Sequence, residues 1–147
     1  MVKFLVKKAD YCNGKGLFAN KNFRKGETVL EFKGKIVGWT RATNRSLQIE
    51  DHKWIRPFQN SLESYINHSC NPTCGIKKLN MVVAMKPIKK GDEITFDYST
   101  TVGENYWKMT CLCGSKNCRK IIGPYKFLTR KLKKKYTGWE SDYLLKG

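Results

Sequence analysis

Cys111, Cys113 and Cys118 fall within eight residues, around Gly114, and a closed tetrahedral metal site needs one more soft ligand than this knuckle supplies. The fourth must come from elsewhere in the chain, from Cys12, Cys70 or Cys74, so metal binding here would tie the C-terminal third to a distant segment. The first eight residues interrupt a very short apolar patch with lysines and offer no signal-peptide core, which places the expected setting inside the cell. In a reducing compartment clustered thiols hold metal more often than they form disulfides. Unrelated buried thiols are the competing reading, since free cysteine packs as a small hydrophobe.

A chain of 147 residues is the size of one domain and can bury a real core. No apolar run approaches the roughly 20 residues of a membrane span. Short extended segments between Gly, Pro and Asn punctuation indicate a mostly β domain. The expected strands are 2–6, 17–19, 28–32, 35–39, 46–49, 81–85 and 93–98. Arg24-Lys25-Gly26-Glu27 and Lys89-Lys90-Gly91-Asp92 each read as a glycine turn feeding a strand, shared turn chemistry rather than a repeat. Asn60 and Glu63 have capping-box spacing, predicting a helical turn that leads into Asn67. Beyond Pro124, Leu128, Leu132 and Tyr136 recur at helical spacing among lysines and arginines, and Gly138 is placed to end the run. That extension reads equally as a helix packed on the domain or as a basic arm.

Three separated motifs carry the chemistry: Asn67-His68-Ser69-Cys70 with Pro72, then Gly91-Asp92-Glu93 leading into Phe96-Asp97-Tyr98, then the cysteine knuckle. Taken in that order, from about Val2 to Arg119, they resemble the SET-domain protein lysine methyltransferases with a zinc-binding post-SET tail. The resemblance implies a SET-domain β-fold of several small sheets, with knot-like C-terminal threading, short helices and a zinc-bound tail. It divides the chain into a SET domain at 1–109, a post-SET tail at 110–123 and a basic extension, helical in part, at 124–147. Among the open choices for the fourth zinc ligand it selects Cys70, leaving Cys12 and Cys74 free.

Taken by themselves, Asn67, His68 and Tyr98 include no strong nucleophile, and no paired carboxylates in a short motif advertise hydrolysis. Such groups suit a reaction in which positioning dominates, and methyl transfer from S-adenosylmethionine to an amine is one. On the resemblance, Lys15, Gly16, Leu17, Asn67, His68 and Leu112 line the cofactor site, with Gly14 and Gly16 allowing close backbone approach. Tyr98 is then the catalytic residue, and Phe96 shares the substrate channel with it. The family carries Phe or Tyr at the Phe96 position, and Phe leaves room for methylation beyond the first step. The chain departs from common family residues at Lys35, Ser64 and Thr73, and its variable insert, 40–60, is short.

The formal net charge is +17, enough for a long-range positive potential, with Arg130 to Lys135 the densest run. The expected partners are a protein bearing the target lysine, a histone or another chromatin or ribosomal protein, and nucleic acid through the basic surface. No membrane partner is expected, and the expected location is the nucleus in a eukaryote, or the cytoplasm or nucleoid in a prokaryote. The rival reading is a non-catalytic module in which a zinc knuckle supports lysines on phosphate. Both readings need zinc, but only the first needs Tyr98, Asn67 and His68 together.

Overall fold

A computed structural model describes residues 2–9 and 14–146 as a mostly β protein of five small sheets with one short α-helix among those residues. Strands β1 (Phe4–Lys8) and β2 (Lys15–Ala19) form an antiparallel pair. Strands β3 (Thr28–Glu31), β8 (Cys74–Lys77) and β9 (Met81–Ala84) make a sheet with β9 in the middle. Strands β4 (Lys35–Val37), β5 (Leu47–Glu50) and β6 (Lys53–Arg56) make another with β6 central. The two-residue strands β7 (Asn67–His68) and β10 (Thr95–Phe96) pair in parallel, and β11 (Met109–Thr110) pairs antiparallel with β12 (Ile121–Ile122). Leu17, Val82, Ala84, Ile88 and Ile94 meet where these sheets converge, each essentially without solvent exposure.

The two glycine turns are built alike. Glu27 and Asp92 each accept a bond from the backbone N–H three residues earlier, at 2.9 Å, while their own N–H groups return to that residue's carbonyl. Gly26 and Gly91 sit at φ +86° and +99°, in the left-handed region that a side chain disfavours. Phe23 and Ile88, just before the two turns, bond each other through both backbone groups.

Several expectations from local pattern are corrected. The segment 93–98 pairs only through an isolated bridge from Glu93 to Phe18 and the ladder at Thr95–Phe96; Asp97 then caps a 3-10 turn at Tyr98–Thr100 by accepting the Ser99 N–H at 3.0 Å. The segment 35–39 stops at Val37, and Trp39 opens a second 3-10 turn. The first strand lies two residues later than its apolar start indicated. A turn does occupy Leu62–Tyr65, but without a capping box: Glu63 accepts the Lys33 N–H, and Asn60 accepts the Tyr65 hydroxyl. The C-terminal helix α1 covers only Arg130–Lys135. Thr129 caps it through the Leu132 N–H, and cations throughout its six residues oppose extension both by repulsion and against the helix dipole at its start.

The extension packs on the domain. Tyr136 is fully buried, the Trp139 ring lies against Gly75 where any Cβ would strike it, and Lys77 covers that ring at 4.3 Å. The Ser141 N–H bonds the Thr100 carbonyl, and the Tyr143 hydroxyl donates to that of Thr101. No helix among the described residues is long and apolar enough to cross a membrane.

Candidate functional site

The parallel pairing of β7 with β10 sets Asn67 beside Thr95 and His68 beside Phe96, so motifs far apart in sequence share one wall. His68 is the hinge of that wall. Its Nδ1 accepts the Tyr98 backbone N–H at 3.0 Å, and its ring meets the Tyr98 ring edge-on with centroids 5.4 Å apart. Burial, helped by the nearby Arg119 guanidinium and opposed by Asp97, pushes the imidazole down to about 4, so the ring is neutral near pH 7. With Nδ1 accepting, the ring proton is on Nε2, which faces Cys70 Sγ at 3.4 Å.

Tyr98 is buried, with its hydroxyl donating to the Ile66 carbonyl at 2.5 Å and its ring 4.9 Å from Phe96. Two clefts meet there. The larger, of about 730 Å³, is lined by Gly14, Asn67, His68, Glu93, Leu112 and Cys113 among others. The smaller, of about 340 Å³, is walled largely by aromatic and apolar groups, including Trp39, Trp54, Ile66, Phe96 and Trp107. Asn44, Arg45 and Tyr98 border both. The larger cleft, which carries Asn67, His68 and Glu93, and an aromatic-rich slot thus share a border that includes Tyr98.

Asn67 is held on both sides of its carboxamide. Its Nδ2 donates to the Lys15 carbonyl and to Glu93, and its Oδ1 accepts from Arg45 at 2.8 Å. Gly16 lies behind that pair, where a Cβ would meet Glu93 Oε2 and Asn67 Nδ2. Of the six residues suggested for the cofactor, Asn67, His68 and Leu112 line the larger cleft; Lys15 does not, and its carbonyl instead accepts from Asn67. Leu17 is in the core, not on the wall.

The Sγ atoms of Cys70, Cys111, Cys113 and Cys118 lie within 4.8 Å of one another, so these four can hold a metal ion. Gly114, at φ +75°, makes the turn within the knuckle. Asn117 fastens the tail to the Asn-His-Ser-Cys segment by donating to the Cys70 carbonyl at 2.9 Å, and the Arg119 N–H approaches Cys70 Sγ at 3.4 Å. Cys74 lies outside the cluster, its thiol pushed up to about 12 by burial. Cys12 falls outside the described residues.

Beneath the site lies Asp97, 1 % exposed. Arg119 grips it with two bonds of 2.7 and 2.9 Å, and Tyr136 donates its hydroxyl at 2.9 Å. Burial alone would raise this carboxyl, but Arg119, His68 and the Tyr136 hydroxyl hold it below its ordinary value. Asp97 stands between two motif residues already singled out, yet its partners from the tail and the extension carry no local signal.

Residues 14–99, more than half of the chain, match the family model of the SET domain. The chain belongs to the SET-domain family. It is 31% identical over 128 residues to Histone-lysine N-methyltransferase 2D of Homo sapiens, covering 73% of this chain and 2% of that protein. It is 28% identical over 132 residues to Histone-lysine N-methyltransferase trithorax of Drosophila virilis, 76% of this chain and 3% of that one. With Histone-lysine N-methyltransferase Su(var)3-9 of Drosophila melanogaster it shares 28% over 147 aligned positions, 75% of this chain and 23% of that protein. This SET chain therefore spans a small part of the length of the curated relatives it matches.

Proposed function

We propose that this SET-domain protein is a lysine methyltransferase acting on the side-chain amines of a protein substrate, with S-adenosylmethionine as methyl donor. The observation that carries this reading is the meeting at Tyr98 of the cleft that holds Asn67 and His68 with an aromatic-rich slot. When bound, S-adenosylmethionine supplies a methyl group already activated by its sulfonium. Asn67, His68 and Leu112 form the cofactor chamber. The aromatic slot takes the aliphatic stem of the substrate lysine and excludes water. A free lysine has a pKa of about 10.4, and an apolar slot lowers it by disfavouring the charged form, bringing more of the amine to its nucleophilic state. The Tyr98 hydroxyl, anchored on Ile66 and backed by Phe96 and His68, fixes the direction from which that amine approaches.

The relatives' names speak of histones, and a lysine on a chromatin protein is the substrate class we assign. The positive charge brings the enzyme to substrate already bound to nucleic acid, since a basic surface repels a free basic tail. A non-catalytic nucleic-acid module leaves the paired clefts unexplained. The deciding experiment is transfer of labelled methyl from S-adenosylmethionine to a panel of histones, bacterial and archaeal chromatin proteins and ribosomal proteins. Label on lysine establishes the activity; no label together with no cofactor binding by calorimetry overturns it.

The ion held by the four cysteines is zinc. Tetrahedral thiolates at Zn–S of about 2.3 Å are about 3.8 Å apart, the spacing found between Cys70 and Cys111. Because Cys70 continues from the wall that carries His68, removing the ion with a chelator is expected to loosen the tail and weaken cofactor binding, since a structural metal's binding energy is folding energy. Metal analysis and calorimetry on treated and zinc-restored protein check this; unchanged cofactor affinity after complete metal loss would refute the coupling.

Phe96 lines the slot without adding a hydroxyl, leaving room for an amine that already bears methyl groups. The wild type is therefore expected to proceed beyond monomethyl-lysine, and Phe96→Tyr to stop earlier. Mass spectrometry of the product distinguishes them, and identical di- and trimethyl yields would remove Phe96 from this role.

A further inference from the structure

The two glycine turns belong to one ribbon. Residues 19–27, from the end of β2 to the start of β3, run antiparallel to residues 84–92, which leave β9 toward β10. Phe23 and Ile88 exchange backbone bonds at its centre. At one end the Gly91 N–H donates to the Ala19 carbonyl and the Ala19 N–H to that of Asp92; at the other the Gly26 N–H donates to the Ala84 carbonyl and the Ala84 N–H to that of Glu27. The pattern reads the same from either strand, so a local two-fold axis passes through the Phe23–Ile88 pair. The cations follow it: Lys21 answers Lys86, Arg24 answers Lys89 and Lys25 answers Lys90.

The carboxylates of the ribbon are already engaged. Glu27 accepts the Arg24 N–H and pairs with Lys21 at 3.1 Å, and Asp92 accepts the Lys89 N–H. Arg24, Lys25, Lys89 and Lys90 are exposed, and no ion pair joins them to a carboxylate among the described residues. In the densest basic run of the sequence, by contrast, Lys133 and Lys135 lie over the rings of Tyr125 and Tyr136.

We infer that this ribbon is a docking surface for the phosphate backbone of double-stranded DNA. At about 3.3 Å per residue it is at most roughly 23 Å long, a length over which each DNA strand carries about seven phosphates. The two strands of a duplex are themselves related by two-fold axes, so equivalent cations meet equivalent phosphates on opposite strands. Phe23, the only aromatic residue of the ribbon, is buried, so no ring is offered to an unstacked base and the contact is with the backbone of a closed duplex. Lys86 and Asp92 border the larger cleft while no ribbon residue lines the aromatic slot, so DNA held here leaves the entrance for the substrate lysine free. The inference rests on the reading that substrate is met on nucleic acid, and names the surface and the kind of nucleic acid.

The test is fluorescence anisotropy of a labelled duplex titrated with the full chain between about 50 and 200 mM salt, without cofactor or protein substrate. Arg24→Gln/Lys25→Gln/Lys89→Gln/Lys90→Gln is expected to weaken binding about 100-fold or more near the middle of that range, and to lower the slope of log affinity against log salt by about three to four. Arg130→Gln/Lys131→Gln/Lys134→Gln/Lys135→Gln removes the same charge elsewhere and is expected to stay within about 10-fold of wild type, its slope changed by about one or less. Thermal melts check that both fold; if the first melts early, Lys25→Gln/Lys90→Gln takes its place, with an expected fall in slope of about two. Equal losses in the two larger variants make the attraction a property of net charge and overturn the inference, as does unchanged affinity in the ribbon variant or a greater loss in the helix variant. Tighter binding of single-stranded DNA, double-stranded RNA or polyglutamate than of the DNA duplex overturns the choice of partner. DNA binding that depends on the ribbon, with no methyl transfer to any substrate, removes the enzyme reading alone; methyl transfer with DNA binding indifferent to the ribbon removes this inference alone.

Discussion

Asp97→Ala is expected to lower the unfolding free energy by about 3–5 kcal/mol, the usual cost of breaking a buried, hydrogen-bonded ion pair from one side. The substitution strips the Arg119 guanidinium of both its bonds to a carboxylate, leaving it only Ser99 Oγ, leaves the buried Tyr136 hydroxyl without its acceptor, and uncaps the Tyr98–Thr100 turn. Against a total of about 5–15 kcal/mol this is a large fraction, and it corresponds to a melting temperature lower by roughly 10 °C or more. Urea denaturation at unchanged m-value checks it, and a loss under about 1 kcal/mol would show that Asp97 is not the clasp described here. Pairing Asp97→Ala with Arg119→Met should recover part of the loss, because the unpaired buried charge is then gone as well. Tyr136→Phe, which removes one bond to Asp97, should cost only about 1–2 kcal/mol.

The same carboxyl predicts a pH dependence. Folding lowers its pKa, so its stabilisation is complete above the unfolded value of about 3.9 and is lost as pH falls through that value toward the lowered folded one. Wild type should therefore lose stability below about pH 4 more steeply than Asp97→Asn. Parallel stability curves for the two proteins across that window would contradict the assignment.

What the sequence made legible was chemistry carried by contiguous motifs. The cysteine knuckle announces its ligands by spacing, and the structure brings Cys70 to it. The glycine turns at Gly26 and Gly91 were readable because a positive φ favours one residue type. Strands β7 and β10 have two residues each, too few to show any period, and their parallel pairing depends on chain far from either. Cys74–Lys77 was missed because Gly75 breaks the strand signal; the reason for the glycine is Trp139, which comes from the extension. Spacing puts Tyr136 on a helical face, whereas it lies past the end of α1 and its hydroxyl is set by Asp97. Arg45 sits in an irregular insert, and nothing local indicates that its guanidinium reaches Tyr98. In each case the missing information is a contact between segments distant in sequence, which propensity and periodicity do not encode.

Tyr98→Phe is expected to abolish most methyl transfer while leaving the fold and cofactor binding nearly intact. The ring stays packed against Phe96 and His68, so little apolar burial is lost. The Ile66 carbonyl loses the tyrosine hydroxyl but keeps the Arg45 Nη1 bond, so it is not left without a partner. What disappears is a single oxygen at the border between the clefts, and with it the group that orients the substrate amine. A hydrogen-bonding group that acts on the reacting centre contributes on the order of 10²–10⁴ in rate, so kcat should fall by about that factor. Single-turnover transfer of labelled methyl, beside calorimetry with S-adenosylhomocysteine and a thermal melt, separates the effects. A variant that folds and binds ligand as wild type does but no longer transfers methyl places the defect in the chemical step. A variant with undiminished turnover would remove Tyr98 from catalysis and return it to the core as a tyrosine whose hydroxyl serves its structural bonds to Ile66 and Arg45.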